Sequence, residues 1–430
     1  MVDSGVEAAK VIEAKVWPWW ARVGFRFGFI YWVLYMLPSP GAVSLLDVLP
    51  WGGGYVEKWL SWPLMTLSPW VGTHVFHLTG LEATWHPTGS GDAAMNYVMA
   101  AIILALAIVG AAVWSAVSEL RGRRLEYRTL YAWLRLFLRF TLAVTLLEYG
   151  FIKIFPGQFG PLGLNGLTET YGDSTPMHLL WTFMGQSRGY MIFGGLMEAI
   201  PGTLLLFRRT STVGLLGAAA VMLNVVMMNF CYDVPVKLYS AHLLVMALFL
   251  LLPDVWPLWR FLLVRREAML TGVWVPRWER KPLRIGAHVL QALVVIGAAY
   301  STAWGSYQFV KQLPNTPSPI RGVYAVDAAT GFGANAKWSK VVLDKQFFLG
   351  MGSDGKPDYF MVTYDTKAQT MNLARQMGSL HWVQGAAGAM TLTGSFKGAP
   401  ASMTLHKTNP DTFELNSRGF HWVNEQAYNH

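Results

Sequence analysis

Several ionisable and amide side chains lie within segments of this chain that are otherwise apolar. An ionisable group inside a membrane is costly unless it is paired, so such residues are candidates for function. Glu198 is the most deeply placed of them, near the middle of an apolar run. The full set is Glu148, Lys153, Glu198, Asn224, Asn229, Asp233, Lys237 and His242. Their similar positions within four apolar segments predict a polar pocket in the outer half of a membrane bundle.

The side chains of this set have two kinds of chemistry. Glu198, Glu148 and His242 can exchange protons, and we predict a catalytic role in proton handling for them. Amide and charged groups can hold a polar ligand, and this binding role is predicted for Lys153, Asn224, Asn229, Asp233 and Lys237. The alternative interpretation is that all these groups hold helices together through hydrogen bonds and buried ion pairs.

A histidine-rich stretch precedes the second apolar run. His74 and His77 are spaced i, i+3, and His86 follows with Glu82 and Asp92 nearby. Two histidines at this spacing on a helix can share a metal ion, so His74, His77 and His86 are predicted metal ligands. The spacing matches no strong metal motif such as HExxH, and solvated interfacial histidines are the alternative interpretation.

Two other features have structural interpretations. Arg135 and Arg139 are spaced i, i+4 in one apolar segment. Arg135 is explained by snorkelling to phospholipid headgroups, whereas the deeper Arg139 is predicted to pair with a carboxylate or an anionic lipid. The segment TGSGD at Thr88–Asp92 predicts a tight turn, with Asp92 as the N-cap of the helix that follows.

The composition is that of a membrane protein. Hydrophobic residues make up 53% of the 430 residues and charged residues only 14%, whereas a soluble chain carries about a quarter charged residues. Runs of about 20 apolar residues can cross a bilayer. Seven candidate spans are Phe25–Leu37, Tyr97–Val117, Tyr131–Phe151, Arg188–Phe207, Val213–Phe230, Val236–Leu252 and Ile285–Trp304.

The net charge of +9 comes from basic clusters between these runs. With seven spans, every cluster falls on one side, which the positive-inside rule assigns to the cytoplasm. We therefore expect a multi-pass protein of the cytoplasmic (inner) membrane, surrounded by lipid, with a cytoplasmic N-terminus and a periplasmic or extracellular C-terminal domain. No nucleic-acid partner is expected. The single cysteine, Cys231, excludes an intramolecular disulfide or CxxC chemistry.

The pattern changes after residue 310. Residues 1–310 are predicted to form the transmembrane domain, with an outer loop at 38–96 in which Tyr55–Leu67 suits an interfacial helix. Residues 311–321 form a Pro-rich linker, and 322–430 a periplasmic β-rich domain. Short alternating runs predict antiparallel strands at Gly322–Asp327, Ser339–Gly350, Tyr359–Tyr364, Met390–Gly394 and Ser402–His406. The predicted fold class is thus an all-α polytopic membrane bundle of about seven transmembrane helices with a small C-terminal antiparallel β domain.

Three sequence stretches resemble the DoxX-like family of membrane proteins. They are EYGFIKIFPGQF at Glu148–Phe159, GGLMEAIPGTLLLFRRT at Gly194–Thr210 and NVVMMNFCYDVPVKLYSAHLLVMALFLLLPD at Asn224–Asp254. The resemblance implies a four-helix core at about residues 131–254. It also implies a link to respiratory, quinone-dependent redox systems. The chain lacks the paired cysteines of thiol-handling relatives, which argues against direct thiol oxidation.

These observations leave three functions open. The first is a component of a quinone-linked membrane redox system, with a quinone as cofactor and a periplasmic or membrane protein as partner. The second is a non-catalytic structural or assembly subunit of a membrane complex. The third is a transporter of a small solute or lipid, although no inverted repeat of the kind many transporters use is present.

Overall fold

The fold is described from a computed structural model of the chain. It describes residues 17–37, 53–86, 89–122, 127–160, 163–169, 171–270, 280–312, 318–333, 337–352 and 357–417. The end of the predicted β-rich domain, residues 418–430, lies outside this description, as do residues 313–317 of the predicted linker.

Eleven helices precede or follow the strands in the described residues. Short 3₁₀ turns at Gly80–Ala83, Tyr171–Asp173, Ala386–Gly388 and Pro410–Thr412 separate some of the elements. The helices are α1 (Trp19–Met36), α2 (Gly53–His74), α3 (Ala94–Leu120), α4 (Arg128–Ile154), α5 (Leu164–Thr168), α6 (Pro176–Gln186), α7 (Arg188–Leu206), α8 (Ser211–Cys231), α9 (Lys237–Leu262), α10 (Lys281–Gln312) and α11 (Glu414–Ser417).

Five helices within the described residues are long and apolar enough to cross a membrane: α3, α4, α7, α8 and α9. A membrane-embedded protein is therefore indicated, but the predicted number of seven spans is wrong. Helices do form at the two remaining predicted spans, as α1 and α10. α1 falls short because Arg22, Arg26 and its polar aromatics lower its hydropathy. α10 includes side chains outside the description.

The chain divides into two compact units. The first comprises Met1–Phe151 and Leu196–Trp304, and the second comprises Ile152–Gly195 and Gly305–His430. We call them the helical unit and the barrel unit. The predicted domain boundaries remain a prediction, but the barrel unit also takes in the segment that runs from the end of α4 into the first part of α7.

Within the helical unit, α8 packs along α9, and α3 packs against both α1 and α2. α4 and α7 approach closely at Gly202, where an added Cβ atom would lie 3.0 Å from the carbonyl oxygen of Ala143. Small residues allow this close approach of backbones, which favours helix association in membranes.

The strands of the barrel unit form a closed antiparallel barrel in which neighbours along the chain are neighbours in the sheet. The strands are β1 (Gly322–Thr330), β2 (Trp338–Asp344), β3 (Phe347–Gly352), β4 (Pro357–Asp365), β5 (Thr370–Leu373), β6 (Gly378–Gln384), β7 (Ala389–Phe396) and β8 (Ala399–Thr408). β1 pairs with β8 to close the barrel, for example Ala325 with His406. The antiparallel β domain that the sequence predicts is thus confirmed.

Apolar side chains fill the barrel. Trp338 lies among Phe332, Phe348 and Phe360, with ring centroids between 5.4 and 5.8 Å from its own. Gly350 leaves room for this ring, because a Cβ atom at that position would overlap it. An eight-stranded barrel has an interior just wide enough for side chains to fill, and this cluster fills it.

A second apolar cluster lies apart from the first. Val323, Val342 and Leu349, from β1, β2 and β3, pack with Leu164 of α5. Val342 is flanked in β2 by Val341 and Leu343, which belong to the other cluster. Because successive side chains of a strand point to opposite faces, α5 covers the outer face of the barrel at these three strands.

Candidate functional site

His242 lies at the centre of an aromatic cluster between α1 and α9. The hydroxyl of Tyr31 lies 2.6 Å from His242 Nε2. The ring of Tyr35 stacks on the imidazole, with centroids 3.9 Å apart and an interplanar angle of 9°. Trp32 meets the imidazole edge-on at 6.3 Å. We call Tyr31, Trp32, Tyr35 and His242 the histidine cluster.

The hydrogen bonds of His242 fix which ring nitrogen carries its proton. Nδ1 lies 2.7 Å from the carbonyl oxygen of Leu238, one turn earlier in α9. A carbonyl oxygen only accepts, so Nδ1 of the neutral ring is the donor and Nε2 is left as the acceptor. Tyr31 therefore donates its hydroxyl proton to Nε2. This arrangement presents a basic nitrogen beside two aromatic rings, which suits the proton-handling role predicted for His242.

Helix α9 begins where Asp92 contacts it. The two carboxylate oxygens of Asp92 accept hydrogen bonds from the backbone N–H groups of Lys237, at 2.8 Å, and Leu238, at 2.9 Å. Gly91 also donates its N–H to the carbonyl oxygen of Pro235 at 2.8 Å. Asp92 thus caps α9 rather than α3, whose N-cap position is Ala93. The predicted cap on the following helix is therefore wrong.

Lys237 forms ion pairs on two sides. Its Nζ lies 2.7 Å from Asp233 Oδ1 and 3.8 Å from Asp92 Oδ2. The Asp233 side chain is 82% exposed, whereas that of Asp92 is 9% exposed. Asp233 has φ of 52°, a left-handed conformation that turns the chain from α8 into α9. Two predicted ligand-binding residues, Asp233 and Lys237, are thus brought together, with Asp92 as a third member.

The two asparagines of α8 have different environments. Asn229 is buried and donates its Nδ2–H to Ser240 Oγ at 3.0 Å, which joins α8 to α9. Ser240 in turn donates to the carbonyl oxygen of Lys237. Asn224 is exposed, so the structure does not place it with Asn229. Asn229 therefore has a packing role, as the alternative interpretation of these polar groups expected.

The acidic residues of the predicted pocket lie on α4 and α7. Glu198 is only 4% exposed, although its side chain can carry a negative charge. Both Glu198 and Glu148 lie within electrostatic reach of Tyr149. Lys153 is also buried, in the last turn of α4. Burial of Glu198 agrees with the depth expected for it, and its proton-handling role stays a prediction.

Two of the three histidines predicted to bind metal, His74 and His86, have local partners. His74 stacks on Trp70, and its Nδ1 lies 2.9 Å from the carbonyl oxygen of that residue. His86 Nδ1 lies 3.0 Å from the carbonyl oxygen of Thr84. Within the described ranges, no three His, Cys, Asp or Glu side chains lie close enough to hold a metal ion. His74, His77 and His86 are therefore not brought together as a metal site.

Sequence reasoning missed the partners that α1 supplies. Tyr31 and Tyr35 are spaced i, i+4, which places both rings on one face of α1. Arg26, on the same helix, is buried and donates to Tyr127 Oη at 3.0 and 3.1 Å and to Ser115 Oγ at 2.6 Å. The tyrosine spacing was a usable signal, but only contact with α9 shows that it faces His242.

The barrel has titratable groups of another kind. Tyr324 is buried beside the apolar core and donates its hydroxyl to the carbonyl oxygen of Ile320 at 2.9 Å. Loss of solvation raises the pKa of Tyr324 to about 12. Arg321 Nε pairs with Asp344 Oδ1 at 2.8 Å. These contacts fasten the start of β1 and indicate a structural role.

Comparisons with known proteins give one informative relative. No protein-family profile matches the chain, and no solved structure matches it. A protein of Bacillus subtilis (strain 168), described as the uncharacterized protein YwoB, is 34% identical over 134 residues. The match covers 31% of this chain and 82% of the relative. The chain therefore belongs to the same protein family as Bacillus subtilis YwoB.

Proposed function

We propose that this protein is a component of a quinone-linked redox system in the cytoplasmic membrane, and that the histidine cluster binds the quinol headgroup. The hydrogen bond from Tyr31 to His242 Nε2, with Tyr35 stacked on the imidazole, is the observation that carries this proposal. The DoxX-like resemblance of the sequence supports the same class of function by association.

The cluster has the groups that recognition of a quinol requires. A quinol presents a flat ring and two hydroxyl donors. His242 Nε2 is an acceptor, and a quinol hydroxyl can replace the Tyr31 hydroxyl on it. The buried rings of Tyr35 and Trp32 flank the imidazole, so a flat ring that displaced the Tyr31 side chain would pack beside them. His242 is half-buried, so the imidazole is not sealed from a ligand that arrives through lipid.

The proposed chemistry divides between this chain and a partner protein. Oxidation of a bound quinol releases two electrons and two protons. His242 accepts one proton at Nε2 as general base, and the second proton passes to water. The single cysteine excludes electron carriers held by paired cysteines of this chain. The electrons therefore pass to a periplasmic or membrane protein partner.

The location is part of the proposal. Five apolar helices support insertion in a membrane, and the basic clusters between apolar runs support a cytoplasmic placement of those loops. His242 and the Asp92–Lys237 pair lie near the N-terminal end of α9. That end follows the loop between α8 and α9, and the charge pattern assigns this loop to the periplasmic side. The site would thus lie in the outer half of the bilayer.

The test is the quinone content of the protein purified in mild detergent. Organic extracts are compared by mass spectrometry for the native chain, His242→Leu, Tyr31→Phe and the control Tyr300→Phe. Tyr300 is a 63% exposed tyrosine of α10, so its hydroxyl is outside the proposed site. We expect near-stoichiometric quinone in the native chain and the control, and complete loss in His242→Leu. Tyr31→Phe should retain its quinone, because the quinol displaces the Tyr31 hydroxyl from His242 Nε2. Equal quinone in all four samples would refute the site.

A second candidate function is a non-catalytic structural or assembly subunit. Two contacts favour it. Both carboxylate oxygens of Asp92 accept hydrogen bonds from the first backbone N–H groups of α9, and the side chain of Asn229 joins α8 to α9. Extracts that contain phospholipid but no quinone would discard the redox proposal in favour of this one. Co-purification of a stable membrane complex, lost when Asp92 is replaced by Ala, would then support it.

A further inference from the structure

Arg139 is a buried cation with unused hydrogen-bond donors. The residue is 4% exposed. Its Nε and Nη1 atoms are buried and have no hydrogen-bond partner among the residues that the structure describes. Arginine stays charged in proteins, so these donors cannot be removed by deprotonation. Leaving them unsatisfied is expensive, more so for a charged group than for a neutral one.

The electrostatic surroundings of Arg139 are positive. Arg135, one turn earlier in α4, and Arg208, in the turn between α7 and α8, are the charged groups that act on it. Asp254, a buried carboxylate of α9, accepts a hydrogen bond from Thr212 and acts together with Arg135 on Tyr131. We call Arg135, Arg139 and Arg208 the arginine cluster.

The members of the arginine cluster are held in place. Arg135 donates from Nη2 to the carbonyl oxygen of Leu250 at 3.1 Å, and its own Nε has no partner among the described residues. The Arg139 guanidinium lies 5.1 Å from the centre of the Phe140 ring. Arg208 is exposed. The cluster thus runs from a buried guanidinium to one that solvent or a headgroup reaches.

We infer that the arginine cluster binds a phosphate group, and that Arg139 is the residue that holds it most tightly. Three mutually repelling cations are stabilised by an anion between them. A guanidinium presents planar donors that match two oxygens of a phosphate. The end of the bundle that holds the cluster is the end that the charge pattern assigns to the cytoplasm, where basic pockets between helices bind anionic phospholipid headgroups. This site is independent of the histidine cluster.

A phosphate group can come from an anionic phospholipid or from the free ion, and native mass spectrometry of the full chain distinguishes them. The detergent-solubilised protein is titrated with phosphatidylglycerol, with phosphatidylcholine and with inorganic phosphate. Variants are Arg139→Gln, Arg208→Gln and the control Arg260→Gln, which removes one positive charge at an exposed position at the end of α9. Arg208 is exposed, so its variant is expected to fold even if the change at Arg139 disturbs packing.

We expect the native chain and Arg260→Gln to bind phosphatidylglycerol about tenfold more tightly than Arg139→Gln, because charge-assisted hydrogen bonds to the phosphate are lost. Arg208→Gln should lose a smaller part of the affinity. Displacement of the lipid by inorganic phosphate would assign the site to the free ion, whereas persistence of the lipid would assign it to the headgroup. Equal binding by the native chain, Arg139→Gln and Arg208→Gln would overturn the inference.

Discussion

The helical unit and the barrel unit treat polar groups in opposite ways. The helical unit buries charged side chains, among them Arg26, Arg139, Glu198 and Asp254, each 4% exposed or less. Among the described residues, the barrel core consists of apolar and aromatic side chains, and the buried carboxylate of Asp344 pairs with Arg321 at 2.8 Å. Buried charge is costly and packed apolar surface is stabilising. The comparison therefore distinguishes a helical unit that buries ionisable side chains from a barrel whose core is apolar and aromatic.

The largest expected effect tests whether the barrel core is tightly packed. Gly350→Ala places a methyl group where the Trp338 ring lies, so the ring or the strand must move. Overpacking of this kind costs up to about 3 kcal/mol. Hydrogen–deuterium exchange of β2 and β3 in the full chain should accelerate. Gly172→Ala is the control, because nothing lies within 4 Å of an added Cβ there. Unchanged exchange in Gly350→Ala would show a loose interior.

The next effect tests whether polar contacts of the helical unit stabilise it. Asp92→Ala leaves the N–H groups of Lys237 and Leu238 without their acceptor. Loss of a helix cap costs up to about 2 kcal/mol, and thermal unfolding in detergent should occur at a lower temperature. Asp233→Asn removes only an exposed ion pair, which is worth less than about 1 kcal/mol. Asn also tolerates the left-handed φ of 52° at this position. Equal losses of stability in the two variants would mean that the cap contributes little.

A smaller effect distinguishes the two asparagines of α8. Asn229→Ala breaks the hydrogen bond to Ser240 and should cost about 1 kcal/mol, as interhelical hydrogen bonds in membranes do. Asn224→Ala changes an exposed side chain and should be near neutral. The measurement is the thermal unfolding midpoint of each purified variant. A greater loss of stability in Asn224→Ala than in Asn229→Ala would contradict the assignment of the interhelical contact to Asn229.

The smallest effect at neutral pH concerns Tyr324. Tyr324→Phe removes one hydrogen bond, worth about 1 kcal/mol. The pKa of Tyr324 in the folded barrel is about 12, above its ordinary value of 10.0. The stability that the neutral hydroxyl contributes is therefore complete below pH 10.0 and is lost as the pH rises through about 12. Alkaline unfolding of the native chain should be steeper in pH than that of Tyr324→Phe. Identical profiles would show that Tyr324 titrates normally.

The sequence predicted the fold class of each region better than the number and bounds of its helices and strands. The five predicted runs fall at six of the eight described strands, because Ser339–Gly350 is a hairpin that turns at Lys345, whose φ of 46° is left-handed. β5 (TMNL) and β6 (GSLHWVQ) were missed because one is very short and the other begins with polar residues. Closure of the barrel depends on pairing of β1 with β8, a long-range contact that no local pattern encodes.

The candidate site was also predicted only in part, because some of its contacts are long-range and no local pattern encodes them. Burial of Glu198 and Asn229 follows from an apolar segment and was expected. The pairing of Asp233 with Lys237 follows from their i, i+4 spacing. The stacking of Tyr35 on His242 and the cap by Asp92 join residues far apart in the chain. Periodicity places a side chain on a face of its helix, but it does not identify the helix that meets that face.

The contact of α5 with the barrel has a consequence for synthesis of the chain. Leu164 is translated long before Val323, Val342 and Leu349, the strand residues that it covers. The apolar side of this short helix therefore stays uncovered while helices α7 to α10 are made, and it is buried only when the first three strands, β1 to β3, emerge. Assembly of the barrel unit is thus a late step that joins an early segment to a late one. A ribosome-bound chain that stops before β3 would expose Leu164 to chaperones and proteases.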